Sequence, residues 1–236
     1  MSVSGTAPSR LLTALGADGT APRLTWYGST GGERVELSGR VLANWITKAA
    51  NLLAEEADAA PGSVVVIHLP VHWRAAVWTL ATWLTGATAG LDEQPEAADV
   101  VVTSDPTAAP AADLTLAVAL PALAMAWDGA DLPAGAMDAA AELGGYGDTL
   151  GFVQAPDPDD EALSGVRYAD LETWAAPAAA AGSRVLLSPG NLEDLMRQAF
   201  GVWLAGGSVV LAAPDAPGLD RVVEAEGVTV RLDAPD

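Results

Sequence analysis

Chemistry that depends on an amine nucleophile or a phosphate-gripping ammonium has one candidate in 236 residues, Lys48. Cysteine is absent, which excludes disulfides, thiolate nucleophiles and thiolate metal sites. The two histidines, His68 and His72, stand four apart, a spacing that binds metal only when both lie on one helix. Pro70 between them makes a strand-to-helix junction instead. A hydrogen-bonded His68 and a helix-starting His72 are therefore expected, and no metal site is assigned. Asp157, Asp159, Asp160 and Glu161 surround Pro158 without the ordered spacing of a calcium loop, which favours a solvated turn. Ser29-Thr30-Gly31-Gly32 has the small residues of a phosphate loop but neither a following Lys nor a helix start to hold an anion, so it is expected to be a turn. No residue is assigned a catalytic role.

The elements that would position these residues alternate. Ala7 to Leu15 suits a short helix, and Leu24–Tyr27 and Arg34–Leu37 form a hairpin around residues 28–32. Ser38 is a candidate N-cap for a helix to about Asp58, in which Val41, Leu42, Trp45, Ile46, Ala49, Leu52 and Leu53 recur at helical spacing. Ser63–Leu69 is a continuous apolar run of the kind buried on both faces. A helix from His72 to Thr85 and a strand over Ala87–Leu91 complete a β-α-β unit. Asp99–Thr103 and Leu114–Leu120 add strands. Residues 128–182, rich in Ala, Gly, Pro and Asp, are expected to be an irregular connection with short helices near Met137–Leu143 and Tyr168–Ala176. Strands at 184–187, 208–212 and 228–232 alternate with helices from Pro189 to Leu204 and from Gly218 to Ala225. The expected organisation is a first α/β lobe over 1–127, the connection over 128–182, and a βαβαβ unit over 183–236 packed with the first as one domain. The fold class is α/β, an open and mostly parallel sheet with helices on both faces.

Half the residues are apolar and eight are Trp, a globular composition. Thirty-one acidic against eleven basic residues give a net charge of −20. Such a field repels nucleic acid and anionic lipid, and disfavours ATP and CoA unless local cations compensate. No secretory leader or membrane-spanning run is evident, so a cytoplasmic protein without nucleic-acid or membrane partners is expected.

Several segments carry a resemblance in their shared order. They are Glu36-Leu37-Ser38-Gly39, Pro61-Gly62-Ser63-Val64-Val65-Val66, Leu69-Pro70-Val71-His72-Trp73 and Thr85-Gly86-Ala87-Thr88, followed by Gly182–Leu187 and Leu204–Leu211. Together they cover roughly half the chain and resemble the AMP-binding, adenylate-forming enzymes such as acyl-CoA synthetases. More narrowly, the chain resembles a small family of AMP-binding-like proteins from high-GC bacteria. The departures matter as much. Between Val102 and Arg184 there is no Ser/Thr/Gly loop closed by Lys, and Gly190-Asn191-Leu192-Glu193 stands where the family carries a His. Tyr146-Gly147-Asp148-Thr149 is similar to the family's Tyr-Gly-x-Thr motif, but Leu150 follows where Glu is expected. The chain stops at Asp236, ahead of the family's later acid-bearing motifs and its C-terminal domain with a catalytic Lys.

The resemblance therefore implies the fold of the N-terminal part of such an enzyme without the groups that align a triphosphate. A non-catalytic relative that binds a small molecule or a protein partner, with no cofactor, is the leading expectation. The alternatives are an acid–thiol ligase component that uses ATP and magnesium with a partner chain, and a module that keeps an acyl or adenine pocket. For a ligand, the strand-to-helix turn Ser188, Pro189, Gly190 and Asn191 is the expected site. For a protein interface or self-association, Trp78 is singled out. It falls with Arg74, Thr82 and Thr85 on the polar side of its helix, away from Trp73, Val77, Leu80 and Leu84. Its ring either stacks on Arg74 or meets a partner.

Overall fold

The computed structural model describes residues 5–17, 19–29, 32–91, 98–121, 124–176 and 180–233. Helix α1 (Ala7–Ala17) buries Leu11 and Leu15 and carries Pro8 in its first turn, where the missing N–H costs nothing. Strands β1 (Pro22–Tyr27) and β2 (Arg34–Ser38) pair antiparallel, Tyr27 opposite Arg34. Positions 30 and 31 of the expected turn lie outside the described residues. Helix α2 (Gly39–Glu56) starts as the sequence predicts, with the Ser38 hydroxyl accepting from Val41 N at 3.4 Å. It ends before Asp58, whose φ of 48° is left-handed, and the Ala59 N–H turns back to Leu53 O.

Strand β3 (Val64–His68) leads into α3 (Trp73–Thr85), which is capped by His72 and closed by Gly86 at φ 86°. A Cβ at Gly86 would meet Pro61 at 2.8 Å, so both the angle and the space call for glycine. Strands β4 (Thr88–Leu91), β5 (Ala98–Thr103) and β6 (Ala112–Ala117) follow. The expected connection over 128–182 contains more structure than its composition suggests: β7 (Ala136–Asp138), α4 (Ala139–Leu143), β8 (Glu161–Leu163), β9 (Val166–Arg167), a 3-10 turn at Tyr168–Asp170 and α5 (Leu171–Trp174). The chain then alternates through β10 (Arg184–Ser188), α6 (Leu192–Leu204), β11 (Ser208–Ala212), α7 (Leu219–Glu226) and β12 (Val230–Asp233).

The strands form two sheets, in the expected α/β class. Their orders are β12-β10-β11-β1-β2 and β7-β6-β5-β3-β4-β8-β9, parallel except at the β1–β2 and β8–β9 hairpins. The N-terminal hairpin joins the sheet of the last segment through β1–β11 pairing, and β7 and β8 extend the other sheet. One continuous apolar cluster runs through the described residues from Ala7 to Ala213.

Helix α3 lies at the centre of this cluster, and a second, smaller one joins Leu186, Val210, Ala212 and Val222. The helix packs on α2, β3, β4 and α6, and α6 in turn packs on β10 and β11. All thirteen of its residues are buried. This corrects the expected polar face: Trp78 is 1% exposed and Arg74 is 2% exposed, so neither presents an interface. The hydroxyls of Thr79, Thr82 and Thr85 donate to the carbonyls of Ala75, Trp78 and Thr82 at 2.8–2.9 Å. Polar groups satisfied within their own helix can be buried at little cost, which makes a threonine-bearing face compatible with a core. The expected Arg74–Trp78 stack is also replaced. Arg74 lies over the rings of Trp73 at 4.5 Å and Trp45 at 5.0 Å.

Candidate ligand cleft at the strand ends

Parallel strands expose their C-terminal ends together, and in open α/β folds ligands collect there. Here both sheets contribute to one cleft of about 530 Å³. Trp26 and Ser29 come from the end of β1, Val71 and His72 from the β3–α3 junction, Leu120 from beyond β6, and Asp215 from beyond β11. The cleft wall includes no Lys or Arg among the described residues, and its rim carries two carboxylates, Glu33 and Asp215.

Two rings, Trp26 and His72, line the cleft, and the Trp73 and Trp45 rings continue the contact behind them. The Trp26 and His72 rings meet edge-on at 4.7 Å, His72 lies 5.7 Å from Trp73, and Trp73 meets Trp45 edge-on at 5.5 Å. His72 Nδ1 accepts from the Arg74 backbone N–H at 3.2 Å, which places the proton of the neutral ring on Nε2. Burial, aided by the neighbouring Arg74 charge, lowers the His72 pKa to about 3, so the ring is neutral across the physiological range. No atom of the described residues accepts from Trp26 Nε1, which is buried. Behind the rings, burial brings the Arg74 guanidinium down to about 10. Its Nη2 donates to Ala124 O at 3.3 Å, and no carboxylate among the described residues pairs with it.

The expected ligand turn lies at the end of β10. Ser188 ends β10 and its buried Oγ has no partner, while Asn191 spends its side chain capping α6, accepting from Asp194 N at 2.7 Å. Ser188, Pro189, Gly190 and Asn191 are not among the residues that line this cleft, and their strand lies two places from β1 within its sheet. His68 makes the expected hydrogen bond, Nδ1 to Thr103 Oγ1 at 3.0 Å. No group of three or more His, Asp or Glu among the described residues is arranged to hold a metal.

The lone lysine is committed to structure. Lys48 Nζ donates to Tyr146 O and pairs with Asp148 at 3.1 Å. Asn51 one turn on donates to the carbonyls of Gly147 and Thr149 and accepts from Gly151 N at 2.8 Å. Tyr146 OH donates to Glu56 at 2.8 Å. The Tyr146–Thr149 loop is thus clasped along α2, a contact that no spacing in the sequence announces. Trp26 and His72 were also not legible as neighbours, since they lie 46 positions apart on different sheets; the one available signal was a histidine just past a strand-ending proline.

No protein-family model matches the chain. A protein of Mycobacterium tuberculosis (strain ATCC 25618 / H37Rv), described as a TIGR03089 family protein, is 37% identical over an alignment 230 residues long that covers 91% of this chain and 93% of that one. Among solved structures, a Brucella canis acyl-CoA synthetase superposes with a TM-score of 0.73 at 17% identity, covering 98% of this chain and 47% of the synthetase. An acetoacetyl-CoA synthetase from Streptomyces lividans gives 0.72 at 17% identity over 97% and 42%. The N-terminal subdomain of Klebsiella oxytoca NpsA, in complex with 3-hydroxybenzoyl-AMSN, gives 0.66 at 16% identity over 96% and 59%. The chain therefore spans about half the length of the synthetases it superposes on, and at these identities the likeness shows the fold alone. The M. tuberculosis match carries further: the chain belongs to the TIGR03089 family, built on the N-terminal fold of the AMP-binding acyl-CoA synthetases.

Proposed function

We propose that this protein is a non-catalytic relative of the adenylate-forming enzymes: a cytoplasmic binding protein for a small molecule or a protein partner, with no requirement for ATP or magnesium. The observation that carries this reading is the cleft at the strand ends, whose wall includes no cation among the described residues and whose rim carries Glu33 and Asp215. A triphosphate placed there would face carboxylates with no cation among the described residues of the wall to neutralise it. Two facts support the same reading. Lys48 is held by Tyr146 and Asp148, and the net charge of −20 adds a repulsive field. No helix of the described residues is long and apolar enough to cross a membrane. Calorimetric titration with magnesium-ATP tests the reading. The expected affinity is weaker than about millimolar, roughly −4 kcal/mol, and a micromolar dissociation constant would overturn it.

A second reading rests on the superposition of 98% of this chain on 47% of a synthetase. In that reading the chain is one component of an acid–thiol ligase and a partner chain supplies the remainder, including the ATP and magnesium site. Stoichiometric co-purification with such a chain, giving acid-dependent pyrophosphate release, would favour it over a solitary binding protein.

A further inference from the structure

The large apolar side chains that the fold leaves in water gather along one helix, α2. Among the described residues they are Val41, 41% exposed, Met125, 68%, and Phe152, 94%. Val41 and Met125 line one groove of about 240 Å³, together with Trp45 and Lys48 of α2 and Leu143 of α4. Val41, Trp45 and Lys48 recur at helical spacing, so the groove runs along the helix. One turn beyond Lys48, Asn51 accepts from the Gly151 N–H at 2.8 Å, which sets Phe152 beside the same stretch of α2. From Val41 to Asn51 that stretch is about 15 Å long, close to three turns. Its surroundings are acidic. Glu55 and Glu56 on α2, Glu142 on α4, and Asp148 are all exposed. Burial, the hydrogen bond to Glu56 and the charges of Glu56, Glu55 and Glu142 all push the Tyr146 hydroxyl up, so these carboxylates crowd the loop beside the groove. Lys48, the cation lining the groove, is already paired with Asp148 at 3.1 Å.

We propose that this face docks a basic amphipathic helix of a protein partner. The apolar stripe of that helix packs on Val41, Met125 and Phe152, and its Lys or Arg residues meet Glu55, Glu142 and Asp148. Apolar side chains scattered singly over a surface need no partner, but here all three that are large and exposed border one stretch of one helix. Charge selects the occupant. A second copy of this chain would bring its own acidic rim and a net charge of −20 to the contact, and an acidic helix would meet the same repulsion. The inference deepens the protein-partner form of the binding-protein reading and rests on it.

The test uses the full chain, labelled with carbon-13 at its methionine methyls, and three synthetic peptides of about four helical turns. One carries Leu at i, i+3, i+4 and i+7 with Lys elsewhere. The second has the same composition permuted so that no helical face is apolar, and the third replaces each Lys by Glu. The Met125 methyl signal, assigned by its loss in Met125→Leu, reports on the groove. The Leu/Lys amphipathic peptide is expected to move this signal, and the permuted and acidic peptides to leave it unmoved at the same concentration. Val41→Ser with Phe152→Ser should weaken the amphipathic peptide at least about tenfold, with the melting temperature unchanged because both positions are exposed. Glu55→Gln with Glu142→Gln should weaken it about three- to tenfold. No movement of the Met125 signal with about 1 mM amphipathic peptide, or equal movement by the permuted or acidic peptide, would overturn the assignment. A wild-type dimer in sedimentation velocity that Val41→Ser with Phe152→Ser dissociates would make a second copy the occupant and overturn it too. Nucleotide binding would instead overturn the non-catalytic reading and leave the response to the peptide intact, so the two failures are distinguishable.

Discussion

Glu226 carries a stability contribution that can be worked from its surroundings. The carboxylate accepts from Tyr27 OH at 2.6 Å and from Arg34 Nε at 2.9 Å, and it also pairs with Arg184. Arg184 in turn donates to Thr25 Oγ1 at 3.0 Å and to Ser208 Oγ at 3.2 Å, so the network ties α7 to β10, β11 and β1. It also anchors the end of the hairpin that brings Trp26, Ser29 and Glu33 to the cleft. Burial alone would raise the Glu226 carboxyl; the hydrogen bonds from Arg34, Tyr27 and Arg184 outweigh it and bring the pKa from 4.5 to about 2. That difference corresponds to about 3 kcal/mol, which screening at the half-exposed Arg34 reduces to about 2 kcal/mol. Because the folded carboxyl titrates lower than the unfolded one, the contribution is fully present above about pH 4.5 and is lost as the pH falls toward about 2. Glu226→Gln should therefore destabilise the protein by about 2 kcal/mol at pH 7, read as a lower urea midpoint at unchanged slope. The gap from wild type should narrow when both are measured near pH 3. A gap below about 0.5 kcal/mol at pH 7, or one independent of pH, would refute the reasoning.

Trp78→Ala empties a fully buried site in α3 and should cost about 3–5 kcal/mol by thermal or urea unfolding; a cost below about 1 kcal/mol would mean that the indole is not core. Lys48→Met removes the anchor of the Tyr146–Asp148 loop, so limited proteolysis should cut within residues 144–151 faster than in wild type. The stability lost should not exceed about 1 kcal/mol, because the Asp148 partner is exposed. His72→Asn keeps a capping side chain for α3, so stability should change by under about 1 kcal/mol in thermal unfolding.

The strongly periodic and continuous apolar segments were legible in the sequence. The Val64–His68 run and the α2 stripe gave their elements because burial on both faces of a strand, or on one stripe of a helix, leaves a mark in local order. Sheet partition leaves no such mark. Nothing in Pro22–Tyr27 states that its parallel neighbour is Ser208–Ala212, a pairing settled by packing of the whole chain. The threonines of α3 misled for a related reason: residue type signals polarity, but a hydroxyl bonded within its own helix is no longer exposed polarity. The cleft was the least legible feature. His72 could be placed at a helix start, but its neighbour Trp26 and the rim residue Asp215 come from strands of the other sheet.

The most direct test of the central claim is acid-dependent ATP–pyrophosphate exchange by the isolated full chain, across short, medium and aromatic acids with magnesium, alongside Lys48→Met. The account predicts exchange no greater than that of a heat-denatured control for both proteins. Acid-dependent exchange well above that control in wild type, lost in Lys48→Met, would contradict it and would make the single lysine part of a working adenylation site.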